Sequence, residues 1–300
     1  CGTKDVDAVN YANEKGIDVI ITDHHILGHN LPKAYAIINP YMNKDIDTFN
    51  FISGSSVAYK FIQALFLEEG KEFPDYLFDF GLIVSALGSI SDRVTLQDPL
   101  NRLIVKKGVE LYKESEREGI KVLRQLSERH HLMIKPRHLS RTVVPRLNAP
   151  GRIGNPEEGI PDASIVVDLL LLGKGKRNAK KAEVVTRIFK SVLNIDSAIK
   201  KGEDIANKDA FNVATDVNTI NEKRKFITAK IEDEMDQMIE DQINAEEDRI
   251  IIIEGKLWNS GVIGIDTDRL KERFLRPAII MTSQKSSDYI RCSSRSIPRI

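Results

Sequence analysis

The sequence predicts an α/β protein, and three observations carry that prediction. Short apolar runs at Asp18–Thr22 and Tyr35–Ile38 alternate with segments of helical spacing, and the connections are short. Such alternation indicates a parallel sheet with helices packed on it. A second unit of the same kind starts at Arg249, where Ile250–Ile253 is a run of four isoleucines. Between the two lies a highly charged helical stretch, from Arg177 to Ile243, that reads as a connector between domains and not a core. With 300 residues at 41% hydrophobic, the chain can bury a real core, and its length suggests two domains.

The elements follow in order. Val6, Val9, Tyr11 and Ala12 space a helix over Asp5–Lys15, with Gly16 suited to its C-terminal cap. Asp18–Thr22 reads as a buried parallel strand ending on Asp23-His24-His25. Tyr35–Ile38 is the next strand, closed by Asn39-Pro40. Ser55 or Ser56 caps a helix reaching about Glu69, and another covers Pro74–Ile90. Asn101–Glu114, Ile120–Arg129 and Asp162–Leu172 are spaced as helices, with Asp162 a cap. Thr142–Asn155, rich in Pro, Gly, Asn and Arg, reads as irregular, and Asn207–Thr215 as a break in the charged stretch. In the last unit the spacing predicts a helix over Val262–Phe274 and strands at Pro277–Met281 and Tyr289–Ser294, with a polar turn at Ser283–Asp288.

Composition excludes several classes. No run of eighteen apolar residues exists, so no membrane span is expected. The chain starts at Cys1 with no charged-then-apolar leader, and its two cysteines, Cys1 and Cys292, fit a reducing compartment. A cytoplasmic protein without a membrane partner is therefore expected. Net charge is zero, which argues against a uniformly basic DNA-coating protein. The distribution is uneven: Lys121, Arg124, Arg129, Lys135, Arg137, Arg141, Arg146 and Arg152 face one acid, Glu128, and the balance reverses over 222–248. A basic stripe can track phosphates by releasing counterions, and a solvated charged face would look the same.

Four clusters can do chemistry. Asp23-His24-His25 stands at the carboxyl end of a strand, the edge where open α/β sheets bind ligands. A carboxylate there can orient one imidazole, while another ligates metal or handles protons. Asp92 follows the apolar run Gly81–Leu87 and can present a second carboxylate; a helix cap is the plain alternative. Mixed His and Asp ligands suit Mn²⁺ or Mg²⁺, and Zn²⁺ less well. Pro145–Arg152 brings Arg146, Asn148 and Arg152 to a loop able to grip phosphate. Ser293-Ser294-Arg295-Ser296 can cup a phosphate with hydroxyls and a guanidinium. His130-His131 with His138 reads as a solvated helix end, no glycine-rich phosphate loop occurs, and the single Trp258 offers no stacking series.

In this order the segments resemble the DHH phosphoesterase superfamily, and within it the RecJ-type exonucleases. The resemblance lies in Gly16–His25, Leu31–Pro40, Ser53–Lys60, Ala86–Asp92, Pro145–Arg152, Trp258–Ile265 and Ser293-x-Arg295. It implies a parallel-sheet DHH domain over 1–175, a helical connector over 176–247, and a smaller α/β DHHA1-type nucleic-acid-binding domain over 248–300. It implies His24 and Asp92 as metal ligands, Asp23 as the residue that orients the site, and His25 as the group that contacts or protonates phosphate. Arg152, with Asn148 behind it, would hold the scissile region, and Ser293 and Arg295 the terminal 5′-phosphate. The implied reaction is stepwise 5′→3′ hydrolysis of single-stranded DNA with Mn²⁺ or Mg²⁺ at a two-metal site, in DNA repair and recombination. Single-strand-binding or replication proteins are the candidate partners.

Departures qualify the likeness. The family's earlier metal-binding aspartates would lie upstream of Cys1, and its later modules beyond Ile300, so these 300 residues by themselves are expected to be inactive. Asn259 stands where relatives usually carry His. The rivals are a DHH phosphoesterase of oligoribonucleotides or cyclic dinucleotides, and a non-catalytic replication-fork scaffold of the same fold.

Overall fold

The computed structural model describes residues 2–42, 51–126, 134–172, 209–243, 248–284 and 287–297. The chain divides into two compact units, one of Cys1–Glu116 with Leu123–Val144, the other of Arg117–Val122 with Pro145–Ile300.

In the first unit a single 3-10 turn, Gly2–Lys4, leads into helix α1 (Val6–Glu14). Gly16 follows it with a positive φ of 70°, as expected of a residue that turns the chain out of a helix. Strands β1 (Ile20–Thr22) and β2 (Ala36–Ile38) pair in parallel, Ile21 opposite Ile37. The expected strand is therefore present, but it is not buried throughout. Only Ile21 points inward, while Ile20 is 40% exposed, because successive side chains alternate between faces. Helices α2 (Gly54–Glu68), α3 (Asp75–Ser91) and α4 (Pro99–Glu114) follow, α3 packing on both α2 and α4. The cap of α2 is Ser53, not Ser55 or Ser56: its Oγ accepts the Ser56 N–H and meets the Oγ atoms of Ser55, Ser56 and Ser89 in a largely buried cluster. Helix α5 spans Glu118–Gln125.

Thr142–Asn155 is not irregular. Helix α6 runs from Pro136 to Ile153 straight through Pro145 and Pro150. Each proline removes one backbone N–H, but Leu139, Val143, Val144, Ala149 and Ile153 are all buried. Burial of that apolar stripe outweighs the local penalty of the two prolines. His138 Nδ1 accepts the Lys135 N–H at the start of this helix, while His130 and His131 lie outside the described residues.

In the second unit α7 (Ser164–Leu171) starts two residues after Asp162, whose carboxylate accepts the Ser164 N–H at 2.8 Å. Helix α8 (Ala210–Gln242) is 33 residues long, about 50 Å. The expected break at Asn207–Thr215 is absent from 210 onward: Asp209 caps the helix through the Phe211 N–H, and Val213, Ala214 and Val217 are buried. Nor is α8 only a charged connector. It buries Ile220, Ile231, Met235 and Ile239 as well, and packs on α7, α9 (Ile263–Phe274) and β3 (Ile251–Lys256). Its acids pair across to α9, Glu232 with Arg269 and Asp236 with Arg273, while Glu234 accepts the Trp258 indole N–H at 2.6 Å. Strand β4 (Ala278–Gln284) lies between β3, parallel to it, and β5 (Ser287–Arg295), antiparallel. Strand β4 thus enters the segment expected to be a turn, of which residues 285–286 lie outside the described set.

Candidate functional site

In the first unit the β1–β2 pairing continues to the site itself, since the Asp23 N–H donates to the Ile38 carbonyl at 3.0 Å. Asp23 is 4% exposed and accepts five hydrogen bonds. Oδ2 takes the Thr3 N–H (3.0 Å) and Thr3 Oγ1 (2.5 Å). Oδ1 takes the His24 N–H (2.7 Å), the His25 N–H (3.1 Å) and His25 Nδ1 (2.7 Å). Burial opposes charge on this carboxyl, but the donors from Thr3 and His25 outweigh it and hold the acid far below the usual carboxylate range. Being ionised, Asp23 can only accept, so His25 Nδ1 carries the hydrogen and Nε2 is turned to other work. The His25 carbonyl is fixed in turn by the Asn39 amide at 3.0 Å, and Asn39 is itself buried.

His24 turns the other way. Its Nε2 lies 3.7 Å from Asp92 Oδ2, and Asp92 is the residue that ends α3. The two imidazoles are tilted 49° with centroids 4.6 Å apart. Ligand atoms of Asp23, His24 and His25 all fall within 4.8 Å of one another. Gly54 makes room for the ring, since a Cβ there would stand 3.1 Å from His24 Cδ2. An imidazole nitrogen and a carboxylate oxygen at this separation, both partly exposed, fit two ligands of one Mn²⁺ or Mg²⁺. Asp23, with both oxygens engaged, fits an orienting role instead.

In the second unit Arg152, on α6, donates to the Gly261 carbonyl at 3.2 Å, and a Cβ on Gly261 would stand 1.9 Å from the Arg152 carbonyl oxygen. Its guanidinium is lowered in pKa by burial and by the neighbouring charge of Arg295. Arg295 Nη1 reaches the Ser293 Oγ (3.4 Å) and Ser294 carbonyl (2.9 Å), while its Nε meets Asp268 at 3.3 Å. Asn148 is half-buried on α6, four residues before Arg152. Asn259 accepts the Gly261 N–H at 2.9 Å and so shapes the loop that Arg152 touches.

Thr3 and Asn39 were not legible as site residues, and two members of the basic stripe are engaged within the fold. Arg124 spends Nη1 on the carbonyls of Tyr112, Lys113 and Ser115 at the end of α4. Arg146 donates to Asn218 at 2.8 Å.

Residues 1–83, which hold the Asp23-His24-His25 triplet, match the DHH family, N-terminal domain. Among relatives, the chain is 31% identical to the single-stranded-DNA-specific exonuclease RecJ of Bacillus subtilis, over 99% of this chain and 31% of that protein. It is 29% identical to RecJ of Dickeya dadantii, over 96% of this chain and 45% of that one. The chain thus spans about a third to under half of these relatives. Its fold resembles that of RecJ: a crystal structure of exonuclease RecJ bound to manganese aligns with TM-score 0.66 at 23% identity, covering 100% of this chain and 62% of that one. RecJ of Thermus thermophilus in complex with Mn²⁺ aligns with TM-score 0.66 at 22% identity, over 94% and 35%. No described helix is long and apolar enough to cross a membrane.

Proposed function

We propose that this protein is a metal-dependent exonuclease of the DHH family that hydrolyses single-stranded DNA 5′→3′ in repair and recombination, in the cytoplasm. The observation that carries the reading is the division of labour around Asp23: one acidic anchor aims His25, while His24 stands 3.7 Å from Asp92. His24 and Asp92 would hold Mn²⁺ or Mg²⁺, which when bound would lower the pKa of a water so that hydroxide is available near neutral pH. His25, oriented by Asp23 through Nδ1, contacts the phosphate and hands a proton from Nε2 to the departing oxygen. Arg152 and Asn148 position the scissile phosphodiester, and Ser293 with Arg295 cradles the 5′-phosphate. Residues 1–175 form the DHH domain, 176–247 a connector and 248–300 the DHHA1-type domain. Similarity to the RecJ exonucleases supports the substrate class, and single-strand-binding or replication proteins are the fitting partners.

The test is digestion of 5′-phosphorylated single-stranded and duplex DNA by the full-length protein, with and without Mn²⁺. Rapid, Mn²⁺-dependent loss of the single strand with the duplex spared is expected. Equal digestion of both, or preference for short RNA, contradicts the reading.

A further inference from the structure

The second unit carries an arginine that the reading above leaves without a task. Arg146 and Arg152 lie six residues apart on α6, and Asn218 and Arg224 six apart on α8, about 9 Å along each helix. At one end Arg146 donates to Asn218. At the other, Arg224 lies near enough to Arg152 and Arg269 for their charges to oppose its own. Arg269 is compensated, paired with Glu232 and 3.7 Å from Asp266. Arg224 is not. Its Nε and Nη2 both donate to the neutral Asn221 Oδ1, at 3.3 and 3.2 Å, and no carboxylate stands within ion-pair distance of it among the described residues.

This differs from an arginine used for structure. Arg124 ends on three carbonyls of its own unit, whereas the amide of Asn221 holds the Arg224 fork in place and leaves Nη1 without a partner among the described residues. A guanidinium so pre-oriented matches the oxygens of a phosphate, and an anion would relieve the repulsion among Arg152, Arg224 and Arg269. We propose that Arg224 grips a backbone phosphate of the bound single strand, beside the one held by Arg152. The proposal rests on the nucleic-acid reading of the preceding subsection and adds a phosphate contact from α8 to it.

The experiment is binding of a 5′-phosphorylated single-stranded oligonucleotide by the full-length protein in EDTA, followed by fluorescence anisotropy over a range of salt. Arg224→Gln should bind several-fold more weakly at low salt, with the slope of log affinity against log salt shallower by about 0.7, the loss of one single-strand phosphate contact. A purely structural arginine would not change that slope, so wild-type affinity and slope in Arg224→Gln overturn the proposal. Should Arg224→Gln fail to fold, Arg224→Lys decides: weaker binding at an unchanged slope supports the fork-like grip, and wild-type affinity overturns it. If the wild-type protein binds no single strand at all, the functional reading fails, and this proposal with it.

Discussion

Two of the protein's buried aspartates, Asp23 and Asp266, are treated in opposite ways. Asp23, 4% exposed, collects five hydrogen bonds and is held ionised far below the ordinary range. Asp266, fully buried on α9, accepts no hydrogen bond among the described residues; burial pushes its pKa up to about 7 despite the opposing charge of Arg224. Burial alone therefore does not decide a carboxyl's charge. The number of donors aimed at it does. At Asp23 the donors come from the site itself, so holding the charge and aiming His25 are one act. At Asp266 the carboxylate tempers a crowd of arginines without being hydrogen-bonded to them.

Substitution should break this contrast first at Asp23. Asp23→Asn replaces an oxygen with a donor facing donors from Thr3 or His25, and about 2–4 kcal/mol of stability should be lost, read from chemical denaturation. Wild-type stability from Asp23 has the sign of a depressed acid: fully present above about pH 4, it is lost only as pH falls toward the lowered folded value. Retention of wild-type stability in Asp23→Asn would mean that the five hydrogen bonds contribute nothing net.

Asp266 should show the reverse sign and a smaller effect. Its folded pKa is raised, so the native state holds a proton that the unfolded chain releases, and stability declines as pH rises from about 4 to about 7. Asp266→Asn should flatten that decline and add about 1–2 kcal/mol at pH 8. A variant less stable than wild type at pH 8 would show that the ionised carboxylate is needed to hold Arg269 and Arg224. Smaller still is Gly54→Ala. Its new Cβ, 3.1 Å from His24 Cδ2, should displace the ring by a few tenths of an ångström. Mn²⁺ affinity should drop several-fold with little change in melting temperature; unchanged affinity in calorimetry would say His24 is not a ligand.

The same contrast explains what could be read from the sequence. Asp23, His24, His25 and Asp92 were legible because a strand end and a helix end carry chemistry in short motifs, and β1, β2, α3 and α9 fell near their expected places. Thr3 was not, because it meets Asp23 across twenty residues of chain with no periodic signal. Asn39 looked like a turn residue before proline, and its contact with the His25 carbonyl depends on the parallel register of β1 and β2. Helix α6 was hidden by two prolines whose cost is met by buried Val143 and Ala149. Asp266 looked like one more polar residue in the first turn of α9, since nothing local marks an acid as buried.

The most direct test of the central claim, that Asp23 splits the work between two neighbouring histidines, is Mn²⁺ binding measured beside turnover on single-stranded DNA. His24→Ala should lose both Mn²⁺ affinity and turnover. His25→Ala should bind Mn²⁺ nearly as wild type, yet cleave about 10²–10⁴-fold more slowly. Equal loss of Mn²⁺ in both variants, or wild-type cleavage by His25→Ala, would contradict it.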